Sequence, residues 1–204
     1  MTTASLKHLK RDSVLREALA DFSPPTLRRE ENIALYLCLS IISQQLSTKV
    51  ARVICDRFLD LFQGSNPTCE AIIAVETTEL RSIGLSQSKA NYIHNVCTFF
   101  IEHQLNDEKL HSMSNEEVIE VLIQIKGVGN WTIQMLLMFA MAREDVFAPD
   151  DLGVQQAMIA LYRLKPTSKK ELNKQLVSIS EAWKPYRTHA CIALWNWKDR
   201  MKKN

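Results

Sequence analysis

Two clusters of residues in this chain have the types and spacing for chemistry around an anion. The first is Lys126-Gly127-Val128-Gly129-Asn130. Two glycines flanking one aliphatic residue let the backbone reverse tightly and present its N–H groups. Asn130 reads as the N-cap of a new helix, whose amides and positive dipole end would face the same anion. Such a turn holds a phosphate without reading a base. The second cluster is Pro149-Asp150-Asp151, ahead of Leu152-Gly153-Val154. One aspartate suits the cap of the following helix, which leaves a second carboxylate over. At a helix N-terminus it keeps its negative charge, because the dipole and the amides stabilise the anion. That suits a stabiliser of positive charge or a base, not an acid. The residues alone equally permit a glycine turn between packed helices and a capping pair.

The flanking sequence predicts the elements that would position these clusters. Ser114-Asn115-Glu116-Glu117 is a capping box, and Val118, Leu122 and Ile125 recur at helical spacing up to the glycine turn. Beyond Asn130, the run from Trp131 to Ala142 is polar only at Thr132 and Gln134. This predicts a helix buried nearly all round, about 20 Å long at 1.5 Å per residue, that would act as a rigid ruler between turn and carboxylates. Met135, Met138 and Met141 read as core filler on it.

Upstream, a helix over about Ser5 to Ala20 ends at Asp21-Phe22-Ser23-Pro24-Pro25. A core helix starts near Glu31, carries Ile33, Leu35, Leu37, Leu39, Ile41 and Ile42, and runs into Ser43-Gln44-Gln45-Leu46. Ser47 then caps a helix from Thr48 to Phe62. Gln44, Gln45 and Leu46 either cap and pack this junction or stand on a loop tip as a polar and apolar wedge; taken alone, their types favour packing. Asn66-Pro67 predicts a helix with proline at its first position. In Leu80-Arg81-Ser82-Ile83-Gly84-Leu85-Ser86-Gln87-Ser88-Lys89-Ala90, Gly84 ends one helix and Ser86 opens the next, a second helical hairpin. Ile93, Val96, Cys97 and Phe100 share one face of the helix that follows, which reaches about Gln104.

Composition sets the class. Five glycines and six prolines in 204 residues, recurrent helical periodicity and no sustained two-residue alternation predict an all-α fold, and 46% hydrophobic content supplies a core. No run of about eighteen residues is free of polar interruption and the first residues lack the apolar core of a signal peptide, so an intracellular protein without a membrane partner is expected. Cys38, Cys55, Cys69, Cys97 and Cys191 are odd in number and widely spaced, as buried thiols are. From Arg163 onward eleven Lys and Arg stand against three Asp and Glu, a local balance of +8 in a chain of +2. That asymmetry suits a surface facing nucleic acid or, equally, a solvated lysine-rich face. His8, His94, His103, His111 and His189 lack metal-ligand spacing and carry no assignment.

Gly127-Val128-Gly129, followed by Trp131-Thr132 and an aspartate at the next helix start, resembles the helix-hairpin-helix (HhH-GPD) base-excision DNA glycosylase superfamily. Asp145-Val146-Phe147-Ala148-Pro149-Asp150-Asp151 is similar to its alkylation-repair branch, the DNA-3-methyladenine glycosylase II type. The resemblance extends through the Ser43 to Leu46 junction, the Leu80 to Ala90 hairpin and Trp183-Lys184-Pro185-Tyr186-Arg187. It implies that Asp151 is catalytic, with Asp150 as the cap, and that Lys126, Gly127, Val128, Gly129, Asn130 and Thr132 hold the DNA backbone. A monovalent cation is often bound at the carbonyls of such a hairpin. Leu46, with Gln45 beside it, matches the wedge that fills the gap left by a flipped nucleotide. The lyase-competent branch has a lysine where Trp131 stands, so a monofunctional enzyme is implied. Branches with an iron-sulfur cluster place four cysteines near the C-terminus, where this chain has Cys191, so no cofactor is expected.

The resulting reading is an all-α, two-lobed glycosylase. Residues 31–143 form a central bundle, residues 1–30 with 144–204 form a second lobe, and the active-site cleft lies between them. A monomer would flip alkylated purines from double-stranded DNA and hydrolyse the N-glycosidic bond, with Trp131 and Trp183 as pocket walls and Trp195 and Trp197 as packing. A glycosylase for a deaminated or oxidised base, or a non-catalytic helix-hairpin-helix DNA binder, is the alternative.

Overall fold

The structure, a computed structural model, describes residues 3–20, 22–23, 25–64 and 66–201. Asp21 and Pro24 of the expected helix end, and Lys202 and Lys203 of the basic tail, lie outside the described residues. Helices follow one another as α1 (Thr3–Leu9), α2 (Leu15–Ala18), α3 (Ile33–Ser43), α4 (Thr48–Asp60), α5 (Cys69–Ile73), α6 (Thr77–Ser82), α7 (Gln87–Glu102), α8 (Asp107–Ser112), α9 (Asn115–Leu122), α10 (Asn130–Met135), α11 (Leu152–Tyr162), α12 (Lys169–Ser180) and α13 (Arg187–Met201). A π-helical segment covers Leu136–Ala140, a 3-10 turn covers Glu181–Trp183, and no strand occurs among the described residues. The fold is all-α.

Helix starts follow local chemistry. Ser47, Ser86 and Ser114 each accept the amide three residues on, Val50, Lys89 and Glu117, and the Ser114 capping box is complete. Asn32, Thr68, Asn106 and Ser168 cap in the same way. Pro67 therefore precedes the cap of α5 and is not its first residue. The expected helix from Ser5 to Ala20 is two, because the Asp12 carboxylate accepts the amides of Val14 and Leu15, both at 3.0 Å, and restarts the winding there.

The ruler helix also departs from expectation. Its cap is Gly129, not Asn130, and α geometry stops at Met135. In the π segment that follows, Leu136, Leu137, Met138 and Ala140 are all fully buried. Phe139 is half-buried against Trp195, and the apolar pattern of the segment reads only as helix. The segment closes with Ala142 at φ +55 and the Arg143 amide on the Leu137 carbonyl at 2.9 Å.

Two compact units result, one of Arg29–Leu136 and one of Met1–Arg28 with Leu137–Asn204. The chain thus changes unit inside the π segment, ahead of the expected boundary at Arg143. In the first unit α3 packs on α4 and α7, and α5 and α6 pack on α7. Ile33, Leu37, Ile41 and Ile42 meet Ile72, Ile93 and Val96 in a core without exposure, each such side chain contributing about 1.5–3 kcal/mol. In the second unit α13 packs on α11 and α2. Met138, Met141 and Met158 fill its core.

Candidate functional site

The glycine turn is built from inside the first unit. Val118, Leu122, Ile125 and Val128 are buried, so they anchor α9 and the turn. The Ile125 amide binds the Leu122 carbonyl and the Val128 amide binds the Ile125 carbonyl. Gly127 sits at φ +106, and a Cβ there would lie 2.3 Å from the Tyr92 ring. Only glycine meets both demands. Asn95 donates to the Lys126 carbonyl at 3.2 Å and fixes the turn from α7. Lys126, Gly129, Asn130 and Trp131 are exposed, with Trp131 at 44%. Gly129 brings no capping side chain to α10, and the amides of a first turn have no carbonyl partner within their helix. The carbonyls of Leu122 and Ile125 accept the amides of Ile125 and Val128, and a carbonyl has two lone pairs, which is the donor chemistry a monovalent cation takes.

Thr132 turns its side chain inward: it is 3% exposed, and its Oγ1 accepts from Gln44 Nε2 at 3.4 Å. That bond ties α10 to the Ser43 to Leu46 junction. There Gln44 ends α3, Gln45 is exposed at φ +59, and Leu46 is half-buried. The glutamines therefore divide their work, Gln44 packing inward and Gln45 standing at the tip. Lys89 of α7, which sequence reasoning passed over, donates to the carbonyls of Ile42 at 2.8 Å and Gln44 at 2.7 Å.

In the second unit, Asp151 itself is the N-cap of α11, with Oδ1 accepting the Val154 amide at 2.8 Å. The expectation that Asp150 caps is thus corrected, since Asp150 is exposed and the turn Ala148–Asp151 aims the second carboxylate at the helix. The same Oδ1 accepts Trp195 Nε1 at 2.7 Å. Trp195 is more than packing. Gly153 makes this approach possible, because a Cβ there would lie 2.7 Å from Trp195 Cδ1 and 3.0 Å from Asp151 Oδ1. Two donors on one carboxylate oxygen fix its orientation.

One helix, α13, also fastens the segment leading to Asp151. Arg187 pairs with Asp145 through Nε at 2.7 Å and Nη2 at 3.0 Å. Thr188 donates to the Arg143 carbonyl at 2.6 Å and accepts the Val146 amide at 3.1 Å. His189 is buried against Glu144, and burial lowers its pKa despite that contact. Arg187, Thr188, Cys191 and Trp195 fall on one stripe of α13, the signal in the sequence from which this role was readable.

Trp183 is corrected as a pocket wall. It has no exposed surface, it packs against Phe147 and Tyr162, and its indole donates to Asp12 Oδ2 at 2.9 Å. A ring covered on both faces has none to offer a base. Tyr162 donates to the same oxygen at 2.6 Å. Burial pushes the Asp12 carboxyl up, but bonds from Tyr162, Leu15, Trp183 and Val14 outweigh it and hold the pKa below its ordinary value.

The basic tail is partly neutralised at home: Lys184 and Arg187 meet Glu181, and Arg200 donates to the carbonyls of Ala18 and Ala20. Among the described residues no group of three or more His, Cys, Asp or Glu is arranged to hold a metal. No described helix is long and apolar enough to cross a membrane.

With this geometry in hand, the chain can be set beside known proteins. It is 35% identical to DNA-3-methyladenine glycosylase 1 of Schizosaccharomyces pombe over 78% of this chain and 69% of that one. A solved DNA-3-methyladenine glycosidase from Bacillus halodurans superposes with TM-score 0.86 at 31% identity, covering 100% of this chain and 92% of that one. A Schizosaccharomyces pombe 3-methyladenine DNA glycosylase solved with abasic DNA gives 0.80 at 31% identity and 95% coverage of both. The chain spans 58% to 69% of the length of three relatives compared by sequence. The profile of the HhH-GPD superfamily base excision DNA repair proteins matches residues 38–182, and the chain belongs to that superfamily.

Proposed function

We propose that the protein is a monofunctional DNA glycosylase that releases 3-methyladenine-type alkylated purines from double-stranded DNA. The observation that carries this reading is the Asp151 carboxylate, held by the Val154 amide and the Trp195 indole at the start of α11. The substrate class is supported by the names of the relatives, and one of them was solved on abasic DNA.

The chemistry asks little of the protein beyond that carboxylate. The glycine turn would hold the DNA backbone at Lys126, Gly127, Val128, Gly129 and Asn130, a monovalent cation being compatible with its carbonyls. Gln45 and Leu46 would fill the gap left when the damaged nucleotide turns out of the stack. N-alkylation leaves the purine cationic. When the C1′–N bond breaks, its electron pair neutralises the base, which departs without taking a proton. The sugar becomes an oxocarbenium ion, which the Asp151 anion stabilises. Water then adds to C1′ and loses its proton. Trp131, exposed beside the turn, is the candidate ring for stacking on a cationic base. It has no amine, so no Schiff base forms with the sugar.

The test is base release from duplexes carrying 3-methyladenine, hypoxanthine or 8-oxoguanine, with borohydride present in a parallel reaction. The reading expects free 3-methyladenine and no trapped adduct. Release of 8-oxoguanine alone, or a covalent protein-DNA adduct, would contradict it.

A further inference from the structure

A lysine in a DNA-repair protein is ordinarily read as a phosphate ligand. Lys89 is engaged elsewhere. Its Nζ donates to the Ile42 and Gln44 carbonyls, the last acceptors of α3, where a cation also meets the negative end of the helix dipole. Burial draws the pKa of this ammonium below the ordinary lysine value. The backbone that carries the side chain is fixed too: the Lys89 amide binds the cap Ser86, and Gly84 at φ +111 leads into it.

The two carbonyls flank Ser43, and that of Gln44 immediately precedes Gln45. Gln45 has a side chain and yet stands at φ +59, a conformation that persists only where its surroundings enforce it. Those surroundings are few. The Leu46 amide binds the Ser43 carbonyl at 3.3 Å, Ser43 Oγ binds the Leu39 carbonyl at 2.8 Å, and Gln44 reaches Thr132. Lys89 is the charged member of this set. It joins the second helical hairpin to the Gln45-Leu46 tip.

We infer that Lys89 is a positioning residue for base extrusion, holding the Gln45-Leu46 tip in its raised left-handed turn and taking no part in phosphate binding. The inference rests on the wedge reading of Gln45 and Leu46. It explains why a lysine follows the Gly84 hairpin at this position: an uncharged residue would leave two carbonyls at a helix end without this donor.

The experiment measures fluorescence of 2-aminopurine placed beside a tetrahydrofuran abasic site in duplex DNA, together with the salt dependence of binding to undamaged duplex. Lys89→Met removes both charge-assisted bonds and is expected to lower the fluorescence response by about tenfold or more. The slope of log K against log salt should stay as in the wild type, whereas losing a phosphate contact would reduce it by about one. Leu46→Ala should lower the response similarly, and the double variant should lose no more than either single one. Lys89→Gln, which keeps a donor without the charge, covers the case in which Lys89→Met unfolds; its response should fall between the two with the slope unchanged. A slope reduced by about one in either Lys89 variant overturns the inference. So does a full response in Lys89→Met when Leu46→Ala has lost it, an outcome that leaves the wedge reading standing. A full response in Leu46→Ala sinks the wedge reading and the inference with it.

Discussion

The turn at Gly127 and the carboxylate at Asp151 solve the same problem, holding a functional group still, by opposite means. At the turn the candidate groups are backbone amides, and what fixes them is main-chain geometry and packing: buried Ile125 and Val128, a glycine at φ +106, and an α7 surface shaped to it, with Asn95 thirty-one residues upstream of Lys126. At Asp151 the candidate group is a side chain, and it is oriented by the Val154 amide of its own helix and by Trp195 of α13, forty-four residues downstream. A backbone site tolerates change in side chains that only point outward. A side-chain site depends on every donor that orients it.

The largest effect expected is at Gly127. Gly127→Ala must displace the Tyr92 ring and strain the backbone, and should destabilise the Arg29–Leu136 unit by about 3 kcal/mol, read by thermal unfolding. Gly129→Ala is its control. A Cβ there meets nothing within 4 Å, so stability should change by less than about 0.5 kcal/mol, and any loss of DNA affinity would report the approach of the phosphate itself. Equal destabilisation by both substitutions would break the description of the turn.

Next comes Trp195→Phe, which keeps the ring and deletes the N–H that Asp151 accepts. Loss of one hydrogen bond to a charged group, about 1.5–3 kcal/mol, should slow base release at saturating DNA roughly ten- to a hundredfold while KM holds. An unchanged rate would return Trp195 to a packing role and leave Asp151 fixed by its helix alone.

The smallest effect concerns Asp12, which orients Trp183 and Tyr162 in the second unit. Its folded pKa lies below the ordinary value of 3.8. Its contribution to stability is therefore complete above the unfolded value and disappears as pH falls through the folded one. Acid unfolding followed by circular dichroism should show this loss below about pH 4 in the wild type and a flatter profile in Asp12→Asn. Identical profiles would show that the carboxylate is not what ties α2 to Trp183.

What was legible in the sequence follows the same division. Caps at Ser47, Ser86 and Ser114 depend on neighbours within a few residues, so their chemistry is written locally, and the turn is announced by its own glycines although Tyr92 and Asn95, which pack on it, come from α7. Either Asp150 or Asp151 can cap by residue type, and only the turn geometry selects Asp151. Trp183 and Trp195 were misjudged because their partners, Asp12 and Asp151, are distant in sequence and no local pattern names them. The π segment was hidden for another reason. An apolar run with no polar residue has no polar face to report its winding.

The central claim is that the charge of Asp151, and not merely its hydrogen bonds, drives the reaction. Asp151→Asn isolates it, since an amide oxygen can still accept from Val154 and Trp195. Single-turnover release of 3-methyladenine from duplex DNA should fall by about a thousandfold, with DNA binding preserved. Release within about twofold of the wild-type rate would contradict the account, because the bond would then break without the carboxylate's charge.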